Sequence, residues 1–183
     1  MLETIPAGNH IGQQRRTNFK NPDARCRLTP WKEFKKKSRS ARHSARYNQW
    51  TQFEDFPKFM EGVKEVRQLN DKRLFWHAEI LGQDIDWEAE IYEQIPDSRI
   101  AWRSVTGHPN AGAVHFKAID QEKTEVTLVI EYETLGVAEN LADKLGVLSL
   151  RVGRDLRRFK KFIEERRAAT GAWRGEIREG ARS

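Results

Sequence analysis

From Tyr47 onward the spacing of apolar residues changes period twice, and each change marks a new kind of element. Tyr47, Trp50 and Phe53 fall on one helical face, and Asp55–Phe56–Pro57 breaks that helix and begins a second short turn through Phe59 and Met60. Beyond Met60 the period becomes two, the mark of strands with one buried face. Val63, Val66 and Leu69 make an imperfect first strand ending at the turn pair Asn70–Asp71. Leu74, Trp76, Ala78 and Ile80 then alternate with Phe75, His77 and Glu79, and Gly82–Gln83 marks the next turn. Ile85, Trp87, Ala89 and Ile91 alternate most cleanly, with Asp86, Glu88 and Glu90 between them. Pro96–Asp97 turns the chain into Ile100, Trp102 and Ser104; Gly107, Pro109, Asn110 and Gly112 read as a loop. Val114, Phe116 and Ala118 follow, then Val126, Leu128, Ile130 and Tyr132. Successive strands joined by short polar turns predict an antiparallel meander. After Leu141 the period lengthens to steps of three and four through Leu145, Leu148, Val152, Leu156, Phe159 and Ile163, one apolar stripe on a long helix. Gly146 and Gly153 interrupt it, each costing about 1 kcal/mol relative to alanine. The tail from Thr170 reads as frayed, with Trp173 able to pack back.

Charge separates the residues before Tyr47 from the rest. Residues 1–46 hold 12 Lys/Arg against 3 Asp/Glu, a net of +9, while the remainder holds 21 against 24, a net of −3. The pI of about 9.5 therefore belongs to the first segment, and the globular part is mildly acidic. That segment has few large apolar residues and no sustained period, so a disordered or loosely docked arm is expected. Cys26 is the single cysteine, which excludes an intrachain disulfide. No apolar run approaches the roughly 20 residues of a membrane span, and the first residues lack a secretory signal's apolar core. The expectation is a cytoplasmic protein.

The text YNQWTQFEDFPKFMEGVKEVRQL from Tyr47, IAWRS from Ile100, NAG from Asn110 and GAWRGEI from Gly171 resembles bacterial members of the SRPBCC or START-like superfamily. The resemblance covers about residues 46–178 and lies with the polyketide cyclase/dehydrase and coenzyme-Q-binding group. It implies an α+β helix-grip fold, a curved antiparallel sheet wrapped around the long C-terminal helix with a cavity between. The organisation it implies is a basic segment over 1–46, a START-like ligand-binding domain over 47–168 and a tail over 169–183. One stretch departs from the family pattern. Where relatives enter from an edge strand with alternating valines, this chain reads KKKSRSARHSAR. Either the strand is degenerate and leaves a sheet edge open, or residues 1–46 come from a shifted frame or misassigned start; the second is the preferred reading.

Strand parity assigns a face to the alternating residues. Leu74, Trp76, Ala78, Ile80, Trp87, Ala89, Ile91, Ile100, Trp102, Ser104, Val114, Phe116, Leu128, Ile130 and Tyr132 line the concave side, facing Leu141, Leu145, Leu148 and Val152 of the helix. Within this set Trp76, Trp87, Trp102, Ser104, Phe116, Leu128, Ile130, Tyr132, Leu141, Leu145 and Leu148 are the candidate ligand-binding residues. The lining is apolar, with polar handles only at Ser104, Tyr132 and the indole N–H groups, so it suits a hydrophobic molecule oriented by few hydrogen bonds. Packing against one another is the plain alternative for each.

His77, His115 and Arg103 fall on the opposite parity, and Glu88, Glu90, Glu131 and Glu133 form an acidic outer face. No His/Asp/Glu/Cys spacing matches a metal site, and there is no phosphate loop or nucleophile elbow. No catalytic residue, metal or cofactor is assigned. The leading expectation is binding or transport of an isoprenoid quinone, lipid or polycyclic aromatic, with possible transient membrane contact and no nucleic acid. A polyketide cyclase or dehydratase in the same cup comes second. Third is anionic-surface or nucleic-acid binding through residues 15–46, where Trp31 and Phe34 sit among Lys and Arg.

Overall fold

The alternation between Val63 and Tyr132 becomes a single antiparallel sheet, and the long helix packs its apolar stripe against the concave face. The computed structural model describes residues 37–39, 43–121, 123–132 and 141–180, with backbone alone at 37–39, 43, 132 and 141–145. In chain order the elements are β1 (Lys37–Arg39), α1 (His43–Trp50), a 3-10 helix (Phe53–Lys58), β2 (Val63–Gln68), β3 (Arg73–Ile80), β4 (Gln83–Ile95), β5 (Arg99–Gly107), β6 (Asn110–Ala118), β7 (Lys123–Tyr132) and α2 (Leu141–Arg166). Among the described residues the sheet has seven strands, ordered β1-β7-β6-β5-β4-β3-β2. Strands β2 to β7 are the expected meander, and β1 joins β7 at the far edge.

Order begins before Tyr47. Lys37, Ser38 and Arg39 pair with Glu125, Thr124 and Lys123, so three residues of the unpatterned basic stretch occupy the edge-strand position. Arg46 is buried, and its Nη1 donates to Thr124 Oγ1 at 3.2 Å, tying α1 to β7. Burial holds its guanidinium below its ordinary value, with Glu164 opposing. The reading of 1–46 as a disordered arm lies, for residues 1–36 and 40–42, outside the described residues.

Two turns move by a residue or more. The β3–β4 hairpin closes on Leu81 and Gly82, both at positive φ, while Gln83 already pairs with Ile80. Asn110 and Gly112 belong to β6 rather than to a loop, opposite Tyr132 and Ile130.

The closed end of the cup is filled by rings. Tyr47 and Trp50 of α1, Phe53 and Phe56 of the 3-10 helix, Phe59, Phe116 of β6 and Phe159 of α2 form one buried cluster. Trp50 meets Phe159 edge-on at 4.9 Å and Phe56 at 5.5 Å. These contacts join three elements that otherwise share little.

The helix is latched to the sheet's other edge through Glu61 and Gly62. Arg151 donates from Nε to the Glu61 carbonyl at 2.7 Å and from Nη1 to the Glu79 carbonyl at 2.9 Å. Asp155 accepts the Glu61 N–H at 2.9 Å, and Arg158 pairs with the Glu61 carboxylate at 2.9 Å. Burial pushes the Asp155 carboxyl above its ordinary range, against the pull of that N–H and of Arg151 and Arg158. Gly62 has φ +83°, and a Cβ there would overlap the Arg151 guanidinium and come within 2.7 Å of the Glu79 carbonyl oxygen. Gly62→Ala is expected to cost about 2 kcal/mol from left-handed backbone and a displaced latch, read as a lower urea midpoint at unchanged slope.

From Thr170 to Ile177 the tail does not fray. Gln94 and Ile177 exchange two backbone hydrogen bonds, at 2.8 and 2.9 Å, where β4 runs past the end of β3. Thr170 N donates to Gln49 Oε1 at 2.9 Å and Trp173 N to Thr51 Oγ1 at 3.0 Å. Arg174 pairs with Asp97 and lies over the Tyr47 ring.

Candidate functional site

Along the concave face the large side chains are more exposed at one end than at the other. At the end closed by α1 and the 3-10 helix, Leu74, Ile91, Ile100 and Val114 are fully buried. Toward the end that carries the β3–β4 and β5–β6 turns, Ile80, Ile85, Trp87, Trp102 and Ser104 are only half-buried, and Ile130 is 38% exposed. An antiparallel sheet around a single helix must diverge somewhere, and here it does so beyond the aromatic plug.

The candidate residues divide accordingly. Phe116 and Leu128 belong to the closed core, where Phe116 meets Tyr47 edge-on at 5.7 Å. Trp76 stands between the two halves, meeting Phe56 of the closed cluster edge-on at 5.6 Å, while Trp87, Trp102, Ser104, Ile130 and Leu148 lie toward the open end. Tyr132 pairs with Asn110 at the end of β7, and Leu141 and Leu145 sit in the first turns of α2; their side chains are outside the described residues.

Two geometries organise the open half. Trp76 of β3 and Trp87 of β4 are directly opposite in register and stack at 5.6 Å with 7° between their planes. The Trp76 Nε1–H is buried and has no hydrogen-bond partner among the described residues. A donor left so costs about 1–3 kcal/mol in desolvation, so it is either strain or a waiting contact. Trp102 of β5 faces Gly112 of β6, and a Cβ on Gly112 would stand 2.5 Å from the indole Cζ2. The missing side chain is what lets the indole lie flat on β6. Ser104 Oγ accepts the Asn110 N–H at 3.0 Å, which leaves its own hydrogen to donate elsewhere.

The convex face carries the remaining chemistry. His77 sits 2.6 Å from Asp86, both exposed to solvent. Burial, helped by Arg99, lowers His115, with Glu93 opposing. Arg103 bridges Glu90 and Glu179 and lies over the Tyr92 ring. Tyr92 joins a small convex cluster with Ala101 and Ala113, and a register shift between Ile91 and Glu93 then turns Gln94 into the interior. Gln94 Nε2 there donates to the Tyr47 hydroxyl at 2.9 Å. Parity alone puts Tyr92 on the convex face but puts Gln94 there too; Gln94 carries no apolar signal, and a bulge announces itself only by the extra residue.

A curled antiparallel sheet gripping one helix, apolar within and charged without, defines a START-like hydrophobic-ligand-binding fold. Residues 41–161 match the model of the polyketide cyclase / dehydrase and lipid transport family, and the chain belongs to that family. A relative in Streptomyces lincolnensis, described as an uncharacterized 17.2 kDa protein in the melC2-rnhH intergenic region, is 46% identical over 136 residues, 74% of this chain and 90% of that one. A crystal structure of a Deinococcus radiodurans protein is 28% identical, covering 73% of this chain and 98% of its own at TM-score 0.55. The Zhui aromatase/cyclase of a Streptomyces species (14% identity, 79% and 100% coverage, TM-score 0.58) and a START superfamily protein of Mycobacterium smegmatis (18%, 73% and 97%, 0.57) share the fold. Among the described residues no helix is long and apolar enough to cross a membrane.

Proposed function

We propose that the protein binds and carries an apolar molecule bearing an acceptor oxygen, such as an isoprenoid quinone, an oxygenated lipid or a polycyclic aromatic ketone. The ligand sits in the open half of the cup between β3–β6 and the first half of α2. The observation that carries this reading is the unpartnered Trp76 Nε1–H inside an otherwise apolar lining. A carbonyl admitted by a shift of the side chains that now cover Nε1 would satisfy the donor, while the Trp76–Trp87 stack and Trp102 supply flat apolar walls. Carriage is preferred to cyclisation because the described concave face offers no acid or base, and both His77 and His115 lie outside it.

Solvent extraction of the purified full-length protein, paired with native mass spectrometry, tests the reading directly. A co-purifying apolar molecule with at least one oxygen supports it; a bound pure hydrocarbon, or turnover of an added polyketide-like substrate, overturns it. Trp76→Phe removes the donor but keeps a ring. Affinity for a short-chain benzoquinone is expected to fall roughly five- to tenfold, the loss of one hydrogen bond of about 1 kcal/mol. Affinity for the matching hydrocarbon should hold, and calorimetric titration of both ligands reads the difference. Stability should shift by less than about 1 kcal/mol, since lost burial and the relieved N–H offset each other.

A further inference from the structure

The outer surface beside the open end of the cup carries large apolar side chains where the fold has no use for them. Leu81 is 44% exposed, Val147 51% and Leu150 65%. Leu81 and Gly82 form a two-residue hairpin turn with φ of +53° and +81°, a geometry that favours Asn-Gly and penalises a bulky side chain. A leucine held there in the left-handed region, pointing to solvent, helps neither the turn nor the core. Leu150 is next to Arg151, whose guanidinium grips the Glu79 carbonyl two residues before Leu81. The hairpin tip and the exposed helix residues therefore belong to one neighbourhood.

The same face of α2 continues as cation. Val147, Leu150, Arg154, Arg157 and Lys161 follow steps of three and four on the side opposite the buried stripe of Leu156, Phe159 and Ile163. Residues 151–167 hold eight Lys/Arg against three Asp/Glu. Two cations of the stripe are paired at the surface, Arg154 with Glu61 and Lys161 with Glu165, each at 3.6 Å. Glu61 also pairs with Arg158 and Asp84 with Lys64, and Glu79 and Asp86 stay exposed near the tip, so the basic excess is that of the helix as a whole. Exposed aliphatic residues at one end of a basic stripe fit a bilayer surface, where the aliphatics enter the acyl boundary and the cations meet anionic headgroups.

We infer that this face, Leu81 with Val147, Leu150 and the Arg154–Arg157–Lys161 stripe, docks the protein peripherally on an anionic lipid membrane. Such docking does not require the cup to hold the proposed ligand.

Insertion of the full-length protein into lipid monolayers tests it, because a rise in surface pressure reports apolar entry rather than charge alone. Wild type is expected to raise the pressure of a mixed phosphatidylcholine/phosphatidylglycerol film. The pair Leu81→Asn and Leu150→Ser should cut that rise by roughly half or more. Leu81→Asn should keep or raise the thermal midpoint, since asparagine suits the turn. Arg157→Glu with Lys161→Glu should lower the rise on the anionic film and leave a pure phosphatidylcholine film unchanged. A wild-type rise from the double leucine variant overturns the assignment, since binding would then come from charge elsewhere, residues 1–46 included. So does a native dimer that Leu150→Ser splits without changing the pressure, which would make this face a contact between two copies. If the double variant does not fold, Leu150→Ser alone carries the same comparison at an exposed site.

Discussion

Replacing Trp50 with alanine is expected to destabilise the protein by about 4 kcal/mol, the middle of the range for truncating a buried aromatic side chain. Trp50 is buried and makes edge-to-face contacts with Phe56, Phe116 and Phe159, at centroid distances of 5.5, 6.1 and 4.9 Å. One side chain thereby joins the 3-10 helix, β6 and α2. Deleting it removes the transfer energy of an indole and leaves a cavity that three rings from three elements cannot close together. A domain of this size holds about 5–15 kcal/mol in all, so the thermal midpoint should fall by roughly 10–20 °C. Urea unfolding at constant slope measures the loss. A loss under about 1 kcal/mol would mean that the plug is not what closes the cup.

Gly112→Val is expected to harm the site and the fold together. Valine suits a strand, yet its Cβ would stand 2.5 Å from both Trp102 Cζ2 and the Val129 carbonyl oxygen. The indole must lift off β6 toward the half of the cup assigned to ligand, and β7 must also give at the Val129 carbonyl. Overpacking of this kind costs about 1–3 kcal/mol, while apolar ligand uptake should drop more than about tenfold because the indole now occupies the volume. Near-ultraviolet circular dichroism should report a moved tryptophan, and extraction of bound material should report the lost uptake. Both signals unchanged would show that Trp102 does not depend on Gly112 for its seat.

The concave face is legible in the alternation of Leu74 to Ile80 and of Ile85 to Ile91, because a sheet with one solvated face must separate its side chains by parity. The helix stripe is legible for the same reason at its own period. What parity cannot see is a change of parity. The bulge after Ile91 leaves Tyr92 outward but sends Gln94 inward to Tyr47, and no residue type marks it. The tail is equally hidden, since Thr170, Trp173 and Ile177 are held by side-chain and backbone hydrogen bonds that leave no period behind. The three paired residues of β1 carry no apolar signal because backbone hydrogen bonding alone suffices at an edge. At the site, the stacked tryptophans follow from register, but the unpartnered Nε1 of Trp76 depends on what its neighbours fail to offer. Composition carries no trace of that.

The bridge between Gln94 and Ile177 also sets a timetable. A ribosome finishes β2 through β7 when it reaches Tyr132, while Ile177 and the helix before it are still unmade. During that interval the far end of β4 is an open edge, able to accept a strand from another nascent chain. Contacts this distant in sequence form last. Slow translation between Tyr132 and Ile177 therefore lengthens the exposure directly, and yield in a foreign host will depend on elongation speed through that stretch even when the finished protein is stable.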